Sequence, residues 1–206
     1  MSIVFYYAPF SSASPVASAL AELGVPHERI TLDLKAGQTR RPEFLALNPN
    51  GKVPTLVVDG TPMFEALAIL LWLGERHGTE RGLWPAANSP ARLEATSWCT
   101  WAYVSYASQL GLLAYATSDR LAPEVHNPAQ AALARQEISR LLDILEARLT
   151  RQKHMLGETY SLVDLVVASV IGYGVRVGAA LDGHPRVKAW VELFQSRDAY
   201  KVGMGG

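Results

Sequence analysis

The sequence predicts an α/β domain built on a mixed four-stranded sheet, followed by an all-α domain. Three observations carry that reading. Strand-type and helix-type patterns alternate through the first 78 residues. The tract 78–90, GTERGLWPAANSP, is rich in Gly, Pro and polar residues, a composition that marks a linker. Everything after it repeats apolar residues at helical spacing. The expected domains are therefore 1–78, a linker 79–90 and an all-α domain 91–206.

Each element has a local reason. Ile3 to Tyr7 is apolar, β-branched and aromatic, is bounded by Pro9, and reads as a buried strand. Ser14-Pro15 reads as a helix cap with proline at the first helical position. Val16, Ala19, Leu20 and Leu23 then recur at helical spacing, and Gly24 closes the helix. His27 to Asp33, with Ile30 and Leu32 apolar, reads as a second strand. A polar loop from Lys35 to Arg41 leads to at most a short helix over Pro42–Leu47. Two short strands follow, joined at Asp59-Gly60, a strong hairpin signal. A helix opens on Glu65 and runs to His77, with Gly78 after its end. A right-handed βαβ unit with a hairpin added gives a four-stranded mixed sheet, the thioredoxin-like layout. Beyond the linker, Ser89-Pro90 and Asn127-Pro128 each pair a capping residue with proline. Ser161 and Asp164, three apart before Leu165-Val166-Val167, read as a capping box. A last helix runs from Pro185 through Val187, Trp190 and Phe194.

Composition removes whole classes of function. Lys+Arg and Asp+Glu both number 19, so the chain lacks the basic surface that a nucleic-acid backbone requires. The single cysteine, Cys99, excludes an intrachain disulfide, a Cys-rich metal site and a dithiol redox pair. The five histidines lack metal-ligand spacing. The apolar runs are far too short to span a membrane, and the N-terminus has no basic region of the signal-peptide kind. Gly172 to Gly178 has one residue too many for a dinucleotide fingerprint and follows a helical pattern, so close helix packing explains it better. A soluble cytoplasmic protein with no metal, membrane or nucleic-acid partner is the expectation.

The stretch Asn48 to Glu65, NPNGKVPTLVVDGTPMFE, organises the first domain. Proline in a central ladder would remove a donor, so Pro54 belongs at a strand's first residue or on an edge. If Val53-Pro54 is cis, the Val53 N–H and C=O turn outward and can pair with an extended peptide-like ligand. The competing reading is that Pro54 merely starts a strand.

Domain order and scattered motifs together resemble the cytosolic glutathione transferase superfamily. The motifs are Asn48-Pro49-Asn50-Gly51-Lys52-Val53-Pro54, Phe64-Glu65-Ala66, Gly157 with Ser161-Leu162-Val163-Asp164, and Pro185-Arg186-Val187-Lys188-Ala189-Trp190 ending in Ser196-Arg197. Tyr7-Ala8-Pro9-Phe10-Ser11-Ser12 is similar to the bacterial, serine- or cysteine-using classes. The resemblance implies glutathione as co-substrate and a fixed set of roles. Val53, before Pro54, pairs its backbone with the cysteinyl unit. Glu65 accepts the γ-glutamyl amine, and the Ala66 N–H holds the γ-glutamyl carboxylate at a helix N-terminus. Ser11 donates to the sulfur, with Ser12 the second choice because a one-residue shift swaps them; both are also ordinary turn residues. Tyr6 and Tyr7 are further alternatives, and Lys52 or Lys35 reaches the glycyl carboxylate. Ser161 and Asp164 are structural.

A hydroxyl donor plus the dipole of a helix start lowers the pKa of the bound thiol, and the thiolate attacks an electrophile held beside it. The electrophile site is expected between the domains, lined by Phe10, Tyr103, Tyr106 and Gln109, the last three spaced three apart on one helix face. Trp98 and Trp101 are expected in the core or in a dimer contact. The resemblance further implies a homodimer formed through Glu65–His77 and the helix after Ser89. The family usually has serine after the glutamate, and Ala66 lacks its hydroxyl, which costs roughly 1.5–3 kcal/mol toward a charged partner. Two alternatives to conjugation stand beside it: an isomerase or thiolytic lyase using the same thiolate, and a non-catalytic ligand carrier or assembly module. A cysteine-bearing reductase of the omega type would need cysteine in the Ser11–Ala13 loop, where there is none.

Overall fold

β1 (Ile3–Tyr7) lies inside a sheet of order β2-β1-β3-β4, where β2 is Glu28–Thr31, β3 is Thr55–Val58 and β4 is Thr61–Phe64. The computed structural model describes residues 1–119 and 121–205. They form two compact units, one of residues 1–87 with the segment from Gln195 onward, the other Asn88–Phe194.

In the first unit β1 pairs with β2 in parallel and with β3 antiparallel, Phe5 standing opposite Leu56. β4 returns antiparallel to β3 through Asp59 and Gly60, both at positive φ (47° and 83°), as a tight hairpin of this twist requires. The charged strand β2 and the Pro62-bearing strand β4 take the edges, where a missing donor and a polar face are tolerated. Ile3, Phe5, Tyr7 and Leu56 are buried from the sheet. Helices α1 (Ser14–Glu22) and α3 (Ala66–Leu73) add Val16, Leu20, Leu23, Ile69, Leu70 and Leu73 to the core. A four-residue α2 (Pro42–Leu45) precedes the cis-proline loop.

Four expectations are corrected here. Ser14 does not cap α1 with its side chain; it is the first helical residue, after Ala13. Ser11 organises the turn instead, its Oγ accepting from the Ala13 N–H at 3.1 Å and its carbonyl from the Ser14 N–H at 3.0 Å. The helix expected over Glu65–His77 is α-helical only to Leu73 and continues as one wide π-type turn, Gly74–Gly78. The tract 79–90 is not a free linker up to residue 87. Trp84 is buried there, and its ring lies so close to Gly74 that a Cβ on that glycine would come within 2.6 Å of it. Lastly, the chain from Gln195 onward belongs to the first unit, through α9 (Asp198–Gly203), not to the all-α domain.

The second unit runs through α4 (Pro90–Trp101), a wide turn Ala102–Tyr106, α5 (Ala107–Thr117), α6 (Pro128–Leu149), α7 (Leu162–Arg176) and α8 (Pro185–Gln195). The caps fall where the sequence places them. Ser89 Oγ accepts from the Arg92 N–H at 3.2 Å and Asn127 Oδ1 from the Gln130 N–H at 3.0 Å. Helix α8 is capped from another helix, Glu146 of α6 accepting from the Arg186 and Val187 N–H groups at 3.0 and 2.9 Å. Helix α7 is the core element, with Leu162–Ala168 wholly buried. Gly174 admits the Tyr106 ring; a Cβ there would sit 2.9 Å from the phenol oxygen. No helix among the described residues is long and apolar enough to cross a membrane.

Candidate functional site

Asn48 builds the loop that leads into β3. Its buried side chain donates to the Lys52 carbonyl at 2.7 Å and to Thr55 Oγ1 at 3.0 Å, while its Oδ1 accepts from the Asn50 N–H at 3.0 Å. One amide thus closes the loop by satisfying backbone groups on both sides. Gly51 stands at φ 60°, where a Cβ would press within 2.9 Å of the Thr39 carbonyl, so the tight turn needs glycine. The Val53-Pro54 bond that follows is cis. Lys52 is exposed beside it. The role of Asn48 has a signal in the sequence, an Asn two residues before an Asn-Gly turn.

The loop after β1 meets this one. Ser12, which is exposed, donates from Oγ to the Val53 carbonyl at 2.8 Å. Ser11 is occupied locally, its hydroxyl donating to the Ala8 carbonyl at 2.6 Å while accepting from Ala13. The two serines are therefore different groups, one a turn former and one facing the cis-proline loop. Tyr7 is buried and its hydroxyl donates to the Gly203 carbonyl at 2.9 Å. Burial pushes its phenol pKa up, against the opposing pull of the Arg29 guanidinium 5.3 Å from the ring centre. Tyr6 is half-buried with its ring edge against Phe44 at 5.5 Å.

The third component is the start of α3. The ladder pairs Thr55 with Phe64, so Glu65 leaves the sheet next to Pro54. Glu65 is exposed, has φ 72° and ψ 117°, and makes no side-chain capping bond; Ala66 follows as the first helical residue. The open first-turn amides of α3 make this a place for an anion. Among the described residues four non-glycines have positive φ: Phe10, Asp59, Glu65 and Asn88. Asp59 is explained by its hairpin and Asn88 by the ease with which asparagine adopts that region. Phe10 (φ 56°) and Glu65 have no such local reason, and each costs about 1–3 kcal/mol. Both lie in the loops just described, and Phe10 is 64% exposed, an aromatic ring held out on a strained backbone.

The helical trio is split. Tyr103 is half-buried, but Tyr106 is 0% exposed and belongs to the core, not to a pocket wall. The expectation assumed unbroken α-helical phase; the wide turn Ala102–Tyr106 changes that phase and turns Tyr106 inward, its ring 6.0 Å from that of Trp101. Gln109 faces a groove of about 630 Å³ shared with Leu112, Leu133 and Arg140, which Tyr103 does not line. Trp98 and Trp101 are half-buried and meet edge to face at 5.3 Å, with the Arg148 guanidinium 4.8 Å over Trp98. Cys99 is buried, and burial together with the Asp164 charge pushes its thiol pKa up to about 12, leaving it protonated and inert.

A thioredoxin-like unit with a cis-proline loop, a hydroxyl loop ahead of its first helix and an acidic residue at a helix start, followed in the chain by a helical unit, defines the two-domain class that includes the glutathione S-transferases. The chain belongs to the glutathione S-transferase family. Residues 10–76 match the glutathione S-transferase N-terminal domain and residues 101–198 the C-terminal domain. It is 30% identical to glutathione S-transferase F10 of Arabidopsis thaliana over 97% of this chain and 95% of that protein. It is equally 30% identical to the disulfide-bond oxidoreductase YfcG of Escherichia coli, over 96% of this chain and 92% of that one. A glutathione transferase from Burkholderia graminis, crystallised with two glutathione molecules per subunit, superposes with a TM-score of 0.83 at 27% identity, over 100% of this chain and 88% of that one.

Proposed function

We propose that the protein is a glutathione transferase that ionises the glutathione thiol beside Ser12 and directs it at a hydrophobic electrophile. The observation that carries this is the exposed Ser12 hydroxyl 2.8 Å from the Val53 carbonyl, with Glu65 emerging from the sheet next to Pro54. Val53 pairs its backbone with the cysteinyl unit. Glu65 takes the γ-glutamyl ammonium, the Ala66 N–H its carboxylate, and Lys52 the glycyl carboxylate. The order of the serines is reversed from the sequence reading, because the Ser11 hydroxyl is engaged at both its donor and acceptor sides. Ser12 turns its hydroxyl from Val53 to the sulfur and, with the peptide dipoles at the start of α1, favours the thiolate by about one to two pKa units, on the order of 2 kcal/mol. The thiolate forms a bond to the electrophilic carbon while the leaving group departs with the bonding electron pair. The exposed Phe10 ring supplies apolar surface for that partner.

Calorimetry with glutathione and turnover of a generic aryl halide test this. Binding in the micromolar to millimolar range and turnover that falls about tenfold in Ser12→Ala are expected. No binding at millimolar glutathione would leave the non-catalytic reading standing. Sedimentation tests the homodimer; the exposed face formed by Leu93 of α4 and Val104 of the wide turn after it is the surface it would cover.

A second reading, disulfide reduction by two glutathione molecules, is favoured by the likeness to YfcG and by the state of Cys99. With the only cysteine buried and protonated, both thiols must come from glutathione. One thiolate attacks a disulfide and expels the other half as a thiolate; the second glutathione then attacks the mixed disulfide, giving oxidised glutathione and a second thiol. Glutathione-dependent reduction of a small dialkyl disulfide, compared with aryl halide turnover, decides between the two activities.

A further inference from the structure

The C-terminal segment runs the length of α1. At one end the Arg197 guanidinium pairs with both carboxylate oxygens of Glu22, the last residue of that helix. Along the middle, α9 packs on α1 so closely that Gly203 touches it with backbone: a Cβ there would overlap Ser18 Oγ and lie 2.6 Å from the Ser14 carbonyl. At the other end the Tyr7 hydroxyl donates to the Gly203 carbonyl at 2.9 Å, and a Cβ on Gly205 would sit 3.4 Å from the Pro9 side chain. Pro9 and Ser14 bracket the loop that carries Ser12. The contact with Ser14 reaches Ser11 directly, since the Ser14 N–H donates to the Ser11 carbonyl at 3.0 Å.

We infer that this segment is a strap that sets the position of the Ser12 hydroxyl, with Tyr7 and Gly203 as its positioning residues. The inference rests on the glutathione reading given above. Tyr7 stands at the end of the first strand; its buried hydroxyl ties the strand to the strap, and the strap holds the start of α1. A loop with two free ends would sample many hydroxyl positions, whereas one pinned between Tyr7, Ser14 and Gly203 holds one. Displacement of a catalytic group by about 1 Å through a remote change can cost on the order of a hundredfold in rate, and the strap opposes such a displacement.

The test compares three substitutions in the full-length protein. Tyr7→Phe keeps the ring and deletes the hydrogen bond. Glutathione affinity within about twofold, kcat down about tenfold and a thiolate absorbance of bound glutathione lowered by about half are expected. Gly203→Ala forces the strap off the Ser14 carbonyl and is expected to act in the same direction more strongly; if it does not fold, Tyr7→Phe alone decides. Arg197→Gln loosens the strap at the far end of α1 and is expected to cost stability with kcat and thiolate absorbance unchanged. Wild-type kcat and thiolate signal in Tyr7→Phe would overturn the inference, as would equal losses in Arg197→Gln, which would mean general loosening. If the unsubstituted protein binds no glutathione, the functional reading fails on its own. Amide hydrogen exchange at Ser11–Ser14, faster in Tyr7→Phe or not, then shows whether the strap holds the loop.

Discussion

Asp164 and Glu65 both stand at helix starts, and they are treated in opposite ways. Asp164, at the start of α7, is 1% exposed and uses both oxygens fully. Its Oδ1 accepts from the Met155 N–H at 2.8 Å, Trp190 Nε1 at 3.0 Å and His154 Nδ1 at 3.2 Å. Its Oδ2 accepts from the Ser161 N–H at 2.9 Å and Ser161 Oγ at 3.0 Å. Glu65, at the start of α3, is exposed, caps nothing and sits on a backbone at φ 72°. A carboxylate with every lone pair engaged is a piece of frame, because any ligand would have to displace protein partners. A carboxylate held outward at a conformational cost has its affinity still to spend.

The sharpest way to break that comparison is to delete each carboxylate in turn. Asp164→Ala strands the donors of Met155, Trp190, Ser161 and His154 in the core of the helical unit. Buried charged pairs broken from one side lose about 3–5 kcal/mol, so urea denaturation should show a loss of that size, or no folded protein. A loss under about 1 kcal/mol would mean the network is not the frame argued here. Glu65→Ala should instead leave stability within about 0.5 kcal/mol and weaken glutathione by roughly 30–150-fold, the value of a charge-assisted bond of about 2–3 kcal/mol. Calorimetry reads the second and denaturation the first. A large stability loss with unchanged affinity would invert the assignment of Glu65.

Between these in size lies a pH effect that reports on the Asp164 neighbourhood. Burial, reinforced by the Asp164 charge, raises the Cys99 thiol to about 12, so the native protein keeps a proton that the unfolded chain releases near pH 8.5. Its contribution is fully present below about pH 8.5 and is lost as pH rises toward 12, at up to about 1.4 kcal/mol per pH unit. Denaturation between about pH 8 and 10 should show this alkaline decline in the native sequence and a flatter profile in Cys99→Ala. Equal slopes would mean that the thiol is reached by solvent.

The same two sites show what a sequence can disclose. The Ser161/Asp164 box, the Ser89 and Asn127 caps and the Asp59-Gly60 hairpin were legible because each is a local device whose parts lie within four residues. The mixed sheet was legible from the order of periodicities. What escaped was set by distant contacts or by phase. Trp84 looks like linker composition until Gly74 is seen beneath it. Tyr106 fits a helical stripe until a wide turn rotates it. Ser11 and Ser12 are adjacent, identical residues, and only the partners of each hydroxyl, Ala8 with Ala13 and Val53, tell them apart. The return of the C-terminus to α1 left no mark in the pattern, since Arg197 and Gly203 gain their meaning from Glu22, Ser14 and Tyr7.

The smallest expected effect bears on the residue after Glu65. Ala66 opens α3, and its side chain is buried, so the helix start offers backbone N–H groups but no hydroxyl. If the γ-glutamyl carboxylate rests there, Ala66→Ser adds a donor to an anion already held by the backbone. The gain should fall below the nominal 1.5–3 kcal/mol of a charged hydrogen bond, because the hydroxyl must first be desolvated in a buried position. An improvement of about threefold to tenfold in glutathione affinity is expected, with kcat on an aryl halide unchanged, since the new group lies at the γ-glutamyl end and not at the sulfur. In Glu65→Ala/Ala66→Ser the two effects should couple, as both residues hold one end of the same ligand. Unchanged affinity in the single variant would place the carboxylate elsewhere and remove Ala66 from the site, leaving Glu65 to be tested alone.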